Sequence, residues 1–283
     1  MAPTVALGLG LALFSAVTSA LAHAMLKSGD NKLAVLAWIR CCEFVVALPL
    51  VLWVGLPPAD LWIWLIAAVA VHAIYQLVLS LSYALSDFTT AYPIARGFVP
   101  IFTALLGMAF LGDRLDGLVL VAIATVSAGI LCLATGQSIT RGGFVAAAVT
   151  GLFTTAYTVI DAKGVRAAPD MLTFIAWFFL LGSLPIPAVL FARYKGAALG
   201  LLVHDRKAGI LAGVLAIIAF APALFALGLA PVGAVAALRE TSVIFGLLLG
   251  AIVLKERLSP QRIAGALLVT LGTLGVIARA ALA

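Results

Sequence analysis

The sequence predicts an all-α integral membrane protein of ten transmembrane helices arranged as a 5+5 inverted repeat. Three observations predict it: an apolar excess, ten apolar runs of spanning length, and a self-match between the two halves of the chain. The 283 residues are 65% apolar and only 10% charged, with a mean hydropathy of +1.24. Soluble domains hold about 45–50% apolar and 25% charged residues, so this composition excludes a soluble fold. A span takes about 20 apolar residues, and ten of them leave connections too short for a folded extramembrane domain.

Runs bounded by charge, Gly or Pro fall at 4–25, 34–54, 61–82, 88–111, 117–136, 143–161, 171–192, 208–229, 232–254 and 261–280. A transmembrane barrel needs segments of about ten residues that alternate apolar and polar positions, and runs such as Leu118 to Ala134 do not alternate. The opening run, Val5 to Met25, lacks a basic leader and is long enough to cross, so a retained helix is expected there. Basic residues set the orientation. Arg40, Arg96 and Arg239 lie inside spans; of the other 14, the connections after spans 1, 5, 7 and 9 hold ten and the opposite side holds four. The positive-inside rule places those connections in the cytoplasm and both termini outside, across the cell inner (plasma) membrane. These flanks account for the net charge of +6 and leave no basic patch for nucleic acid. Cys41, Cys42 and Cys132 sit in apolar runs and read as packing residues, not metal ligands.

Residues Thr89 to Ala134 align without gaps on Val232 to Ile277 at a constant offset of 143. Arg96 falls on Arg239, Gly107 on Gly250, Gly129 on Gly272, and Asp113-Arg114-Leu115 on Glu256-Arg257-Leu258. Weaker matches pair Thr18-Ser19-Ala20 and Lys27 with Thr154-Thr155-Ala156 and Lys163 at 136, and Trp38 with Trp177 at 139. Two units follow, residues 1–137 with spans 1–5 and residues 138–283 with spans 6–10. Because five is odd, the second copy crosses the membrane in the opposite sense to the first. Inverted repeats of this kind are a recurrent plan of secondary transporters, whose sites lie near the midplane between the copies.

The pattern Tyr83-Ala84-Leu85, Tyr92-Pro93, Pro100 and Leu111-Gly112-Asp113-Arg114-Leu115, followed by a Gly-ended helix, resembles the EamA domain of the drug/metabolite transporter superfamily. The second half repeats it with Phe225-Ala226-Leu227, Leu254-Lys255-Glu256-Arg257-Leu258-Ser259-Pro260 and Leu271-Gly272. Asp113 stands where that family usually has Glu, and Arg239-Glu240 stands where it has apolar or small polar residues. The resemblance covers nearly the whole chain. It implies a ten-helix carrier with a central cavity, expected to export a small polar metabolite, an amino acid or another zwitterionic or anionic compound, by alternating access. A lipid or lipid-linked-intermediate flippase on the same fold stays open beside it. An enzyme is not expected and no cofactor is implied, since the sequence holds no P-loop, nucleophile elbow or metal-ligand motif.

A charge at bilayer depth costs about 2.5–3.5 kcal/mol on insertion scales, so charges inside spans need partners and mark function. Arg96 and Arg239, equivalent in the repeat, approach the midplane from opposite sides and suit a carboxylate or phosphate, to which a guanidinium donates two parallel hydrogen bonds. Arg40 and Glu43, three apart, are expected to pair on their own helix. Arg239 and Glu240 are adjacent, about 100° apart, and must find partners across helices. His72, Gln76 and Tyr83 form one stripe of span 3 with Tyr75 beside it, a face fit to line a wet cavity. The expected substrate-binding set is therefore Arg40, His72, Tyr75, Gln76, Tyr92, Arg96, Tyr157 and Arg239. Glu43, Glu240 and His72 are the candidates for a coupling proton. Expected partners are the small-molecule substrate, the lipid bilayer and that proton, with no nucleic acid and no metal. Ser15, Ser19 and His23, and Thr150, Thr154 and Thr158 before Asp161, form ladders whose hydroxyls are expected to bond their own backbone. Gly246 with Gly250, and Thr103 with Gly107, suit close helix packing. Pro93, Pro100, Pro185 and Pro187 are expected to kink their helices. Asp113-Arg114 and Lys255-Glu256-Arg257 are expected to be interfacial anchors at helix ends.

Overall fold

Apolar runs form helices here because in hydrocarbon every backbone N–H must be satisfied within its own segment. The computed structural model describes residues 3–85, 88–134, 139–253 and 259–282, and among them the regular structure is entirely helical. The helices are α1 (Pro3–Ser28), α2 (Lys32–Val54), α3 (Trp62–Leu85), α4 (Phe88–Gly97), α5 (Val99–Leu106), α6 (Gly117–Cys132) and α7 (Arg141–Ala167). They continue with α8 (Met171–Gly182), α9 (Pro185–Tyr194), α10 (Ala198–His204), α11 (Arg206–Leu229), α12 (Val232–Arg239), α13 (Ser242–Val253) and α14 (Pro260–Leu282). Eight helical stretches among the described residues are long and apolar enough to cross a membrane, while α6 is shorter at 16 residues. Apolar side chains such as Leu52, Trp53, Phe110 and Leu118 lie exposed on the outer surface, where lipid would cover them.

Polar caps start several helices. Asn31 accepts from the Leu33 and Ala34 N–H groups at 3.1 Å, Asp116 from Val119 at 3.0 Å, and Thr140 from Gly143 at 3.1 Å. The Val119 N–H, joined by the guanidinium of Arg279 at 2.6 Å, holds the Asp116 carboxyl below the usual carboxylate range.

Three of the expected spans, 88–111, 171–192 and 232–254, are interrupted helices, two of them at the prolines expected to kink them. In the first, α4 ends at Gly97 and α5 restarts at Val99 with Pro100 in its first turn; Pro100 has no N–H for the carbonyl of Arg96. That span then closes in a π turn over Gly107–Leu111, ended by Gly112 in the left-handed region. In the second, Pro185 opens α9, and the Leu184 N–H reaches back to the Leu181 carbonyl at 3.3 Å. The third break, at Glu240 and Thr241, has neither Pro nor Gly. There the Thr241 N–H and hydroxyl both turn to the Leu238 carbonyl, at 3.1 and 2.7 Å, tightening the chain to 3₁₀ spacing. The breaks at Phe98 and Thr241 lie 143 residues apart, the offset of the self-match. The short helix α10 lies in a connection where the apolar runs place none.

The packing alternates between the halves. α1 packs on α11 as α7 packs on α3; α12 packs on α1 as α4 packs on α7; α6 and α14 pack on each other. Glycines permit the closest approaches. A Cβ on Gly272 would stand 2.6 Å from the Ala122 carbonyl oxygen, and one on Gly129 2.7 Å from the Val269 nitrogen. Between α7 and α4, a Cβ on Gly151 would stand 2.6 Å from the carbonyl oxygen of Ala95, next to Arg96. Of the glycines expected at close contacts, Gly107 packs against Val232 and Asp113, whereas Gly246 and Gly250 lie outside the described side chains.

Polar ties bind the two halves at each end of the bundle. At one end the Asp113 carboxylate accepts from Arg166 and from the Val232 N–H, both at 2.6 Å, while Arg166 also donates to the Leu227 and Ala230 carbonyls at 2.9 Å. Asp113, expected as an anchor at a helix end, is there a part-buried clasp between the halves. At the opposite end Asp205 accepts from the Asp30 and Asn31 N–H groups at 2.9 and 3.0 Å. The indoles share the pattern: Trp38 donates to the Leu202 carbonyl and Trp177 to that of Gly55, each at 2.8 Å and each from one half to the other.

Since the Ala95 backbone cannot yield to a methyl group, Gly151→Ala should lower unfolding stability in detergent by about 1–3 kcal/mol. A Cβ on Gly10 meets nothing within 4 Å, so Gly10→Ala should leave the melting temperature unchanged or raised. Equal melting of the two variants would contradict this packing.

Candidate functional site

Charged side chains that the apolar sequence carries into the bundle find one another there. Arg40 and Glu43, one turn apart on α2, pair at 2.5 Å. Arg96, at the end of α4, reaches across the halves to Glu240, just past α12, at 2.7 Å. His72 on α3 reaches Asp161 on α7 at 2.9 Å. The acids are the better-buried partners: Glu43, Asp161 and Glu240 are 3%, 0% and 2% exposed. Two of these three pairs cross from one half to the other, so the helix breaks beside Arg96 and Glu240 bring the pair together where a continuous helix would carry on past it.

His72 stands at the centre of an aromatic box. Its ring stacks on Tyr157 at 4.1 Å between centroids, and Phe178 and Phe220 meet it edge-on at 4.9 and 5.5 Å. Tyr75 meets Tyr157 at 5.0 Å. The Arg239 guanidinium lies 5.5 Å from the centre of the Phe220 ring, a cation–π contact. Among the described residues Arg239 has no acidic partner, and its Nε is buried without a hydrogen bond. Buried acceptors without partners, Asp161 Oδ1, Glu240 Oε2 and Gln76 Oε1, lie in the same region together with the Nε of Arg40. Arg96, Arg239, Asp161 and Glu240 all stand within electrostatic reach of the Tyr157 hydroxyl.

A narrow cavity of about 10 Å³ adjoins this centre, lined by Arg40, Val69, His72, Ala73, Gln76, Phe178, Gly182, Pro185 and Ile186. That is about the room one water needs. A larger hollow of about 330 Å³ lies at the bundle end beside Arg166, Asp170 and Met171, away from the charged pairs and open to the outside. The charge chemistry favours the smaller space as the functional one.

Of the expected substrate-binding set, Arg40, His72 and Gln76 line this cavity; Tyr157 joins them through its stack on His72, Tyr75 through Tyr157 and Arg239 through Phe220, while Arg96 pairs with Glu240. The side chain of Tyr92 lies outside the described residues, as do those of Tyr83 and His23 and the stretch 254–258 that holds Lys255, Glu256 and Arg257. The threonine ladder bonds its own helix: Thr150, Thr154 and Thr158 each donate four residues back at 2.7–2.9 Å. Asp161 was not among the expected site residues, although it ends that ladder and its charge inside a span was a legible signal. Phe178 and Phe220 carried no signal, since aromatics in apolar runs are common.

Residues 141–278 match the EamA-like transporter family. No curated protein matches the chain. Among solved structures 28 chains match, one of them a protein crystal structure that superposes with a TM-score of 0.75 over 98% of both chains at 17% identity. Likeness at that identity shows a common fold.

Burial decides what each ion pair contributes. Breaking a buried pair strands its partner, so Glu43→Gln should cost about 3–5 kcal/mol of unfolding stability. Asp116→Asn, at the exposed pair with Arg279, should leave unfolding unchanged because water screens it. Chemical denaturation of both variants checks this, and equal losses would contradict the burial argument.

Proposed function

Residues 141–278 are an EamA-like transporter domain of the drug/metabolite transporter superfamily, in a multi-pass integral membrane protein, and from that premise we propose a secondary carrier that exports a small polar metabolite by alternating access. The single observation that carries this reading is a charged, aromatic-walled centre inside an apolar bundle, supplied by both halves of the chain. Intramembrane charges of this kind mark substrate and ion pathways.

In this reading residues 1–137 and 138–283 are two copies of one five-span unit facing opposite ways, with both termini outside. Four observations support the copies: the 143-residue offset, the helix breaks at the same offset, the reciprocal packing of α1 on α11 and α7 on α3, and the reciprocal indole bonds of Trp38 and Trp177. Copies related by an in-plane pseudo-twofold can exchange conformations and so expose one site to either side in turn. The Asp113 and Asp205 clasps, at opposite ends and each joining the halves, are the contacts such an exchange would break alternately. A cavity of about 10 Å³ fits a conformation closed at both ends.

The substrate is a zwitterionic or anionic compound, of which amino acids are the simplest. Arg239 carries much of this assignment: it is a half-buried cation held over Phe220, with a buried Nε that has no hydrogen-bond partner and is ready to donate to a carboxylate. Arg96 positions Glu240 and is the symmetric counterpart of Arg239, with Tyr75 and Tyr157 as walls.

Proteoliposomes given a panel of amino acids, organic anions and cations, with and without a pH gradient, test the proposal. At least one amino acid or organic anion should move. Arg239→Ala and Arg96→Ala should each cut its flux about tenfold or more, since a charged hydrogen bond contributes about 1.5–3 kcal/mol. Undiminished flux in both variants would overturn the arginine site, and competition by long-chain amphiphiles alone would favour a flippase.

A further inference from the structure

The cavity beside His72 is lined by two nitrogen bases and an amide, and by no acid. Arg40, His72 and Gln76 face it, whereas Glu43 and Asp161 stand behind Arg40 and His72 as their partners. Two polar atoms there are buried and unpartnered, Nε of Arg40 and Oε1 of Gln76. The Arg40 Nε–H is a donor with nothing to accept it, and the Gln76 amide can turn its NH₂ to an acceptor. The lining suits an anion, of which the present space admits only the leading oxygen until the wall moves. Its wall is movable in form: Gly182 ends α8, Pro185 opens α9, and both line the cavity at the break between those helices.

Arg40 is permanently charged, as guanidinium groups are. Histidine is the side chain whose charge ordinarily changes in the physiological range. The groups around His72 are Asp161 and Tyr157 from α7, Arg40 and Glu43 from α2, and Tyr75 on its own helix, with Phe178 and Phe220 as apolar walls. Beyond Phe220 stands Arg239, and near Tyr157 the Arg96–Glu240 pair. His72 Nε2 and Asp161 Oδ2 share a hydrogen bond at 2.9 Å, so Asp161 occupies one edge of the imidazole without itself lining the cavity. A carboxylate arriving on the opposite edge of the imidazole adds a negative charge in a medium that penalises unbalanced charge. Protonation of His72 restores the balance.

We propose that the cavity at the α8–α9 break is a carboxylate subsite completed by protonation of His72, so that one substrate anion and one proton are bound and carried together. The inference rests on the carrier reading and deepens it: the substrate bears a free carboxylate, and the coupling proton belongs to His72, with Glu43 and Glu240 held by Arg40 and Arg96 in structural pairs. Export then runs down the substrate's own gradient and takes one proton out with each anion.

Binding of acetate and benzoate to the purified full-length protein in lipid nanodiscs tests this, with acetamide and benzamide as uncharged controls. Calorimetry in buffers of different ionisation heat counts the protons. The carboxylates should bind in preference to the amides, weaken about fivefold or more from pH 6 to pH 8, and take up about 0.4 of a proton per anion or more near the midpoint of that change. In His72→Gln the pH dependence and the proton uptake should vanish, while Glu240→Gln should keep both. The parent's proton count stands even if His72→Gln fails to fold. Proton release on binding, a count of zero with pH-independent affinity, or equal binding of the amides would overturn the subsite. Metabolite flux in proteoliposomes alongside any of those results would leave the carrier reading intact and remove only this inference.

Discussion

Charge in a low-dielectric interior must be balanced, and that constraint organises this molecule. Among the described residues, Arg40, Glu43, His72, Asp161, Arg96 and Glu240 are hydrogen-bonded in three pairs inside the apolar bundle, and the pairing dictates which helices meet. The i,i+3 pair on α2 satisfies itself locally. The other two pairs work only if α3 meets α7 and if the broken helix of the first half meets the broken helix of the second. Arg239, by contrast, has an aromatic face in place of an acid among the described residues.

The same constraint explains why the helices break where they do. A continuous helix through Arg96 or Glu240 has all its carbonyls occupied and presents its side chains on a regular spiral. Interrupting it at Phe98 and at Thr241 turns the next segment aside and concentrates polar groups at one depth. Discontinuous helices at the midplane are how transporter folds expose backbone and charge without exposing either to lipid. The ends of the bundle use smaller devices, a carboxylate that bridges a guanidinium and an N–H at one face and a carboxylate that bridges two N–H groups at the other. Such clasps are individually breakable, as the proposed alternation between the two ends requires.

Much of this was legible in the residues. Apolar runs locate the helices because spanning length and hydropathy are local properties. Arg40 and Glu43 are legible as a pair because a helix places residues three apart on one face. Pro100 and Pro185 announce two of the breaks. The third, at Thr241, has no proline or glycine to announce it, and only its equivalence to Phe98 through the 143-residue offset signals it. The partners of Arg96 and His72 were not legible: they lie 144 and 89 residues away, and a single sequence carries no record of which helix faces which. Asp113 illustrates the same limit, since its position at a helix end reads as solvent-facing until Arg166 and Val232 are seen to enclose it.

The central claim is that the Arg96–Glu240 pair is a direct tie between the halves in the interior of the bundle. A double-mutant cycle measures it: unfolding free energies of the parent, Arg96→Met, Glu240→Leu and the combined variant in one detergent. Each single change strands a buried charge, so each should cost about 3–5 kcal/mol, and the combined variant should lose no more than either alone. Losses that simply add would mean that the two side chains do not interact, and the account of a shared polar centre would fail with them.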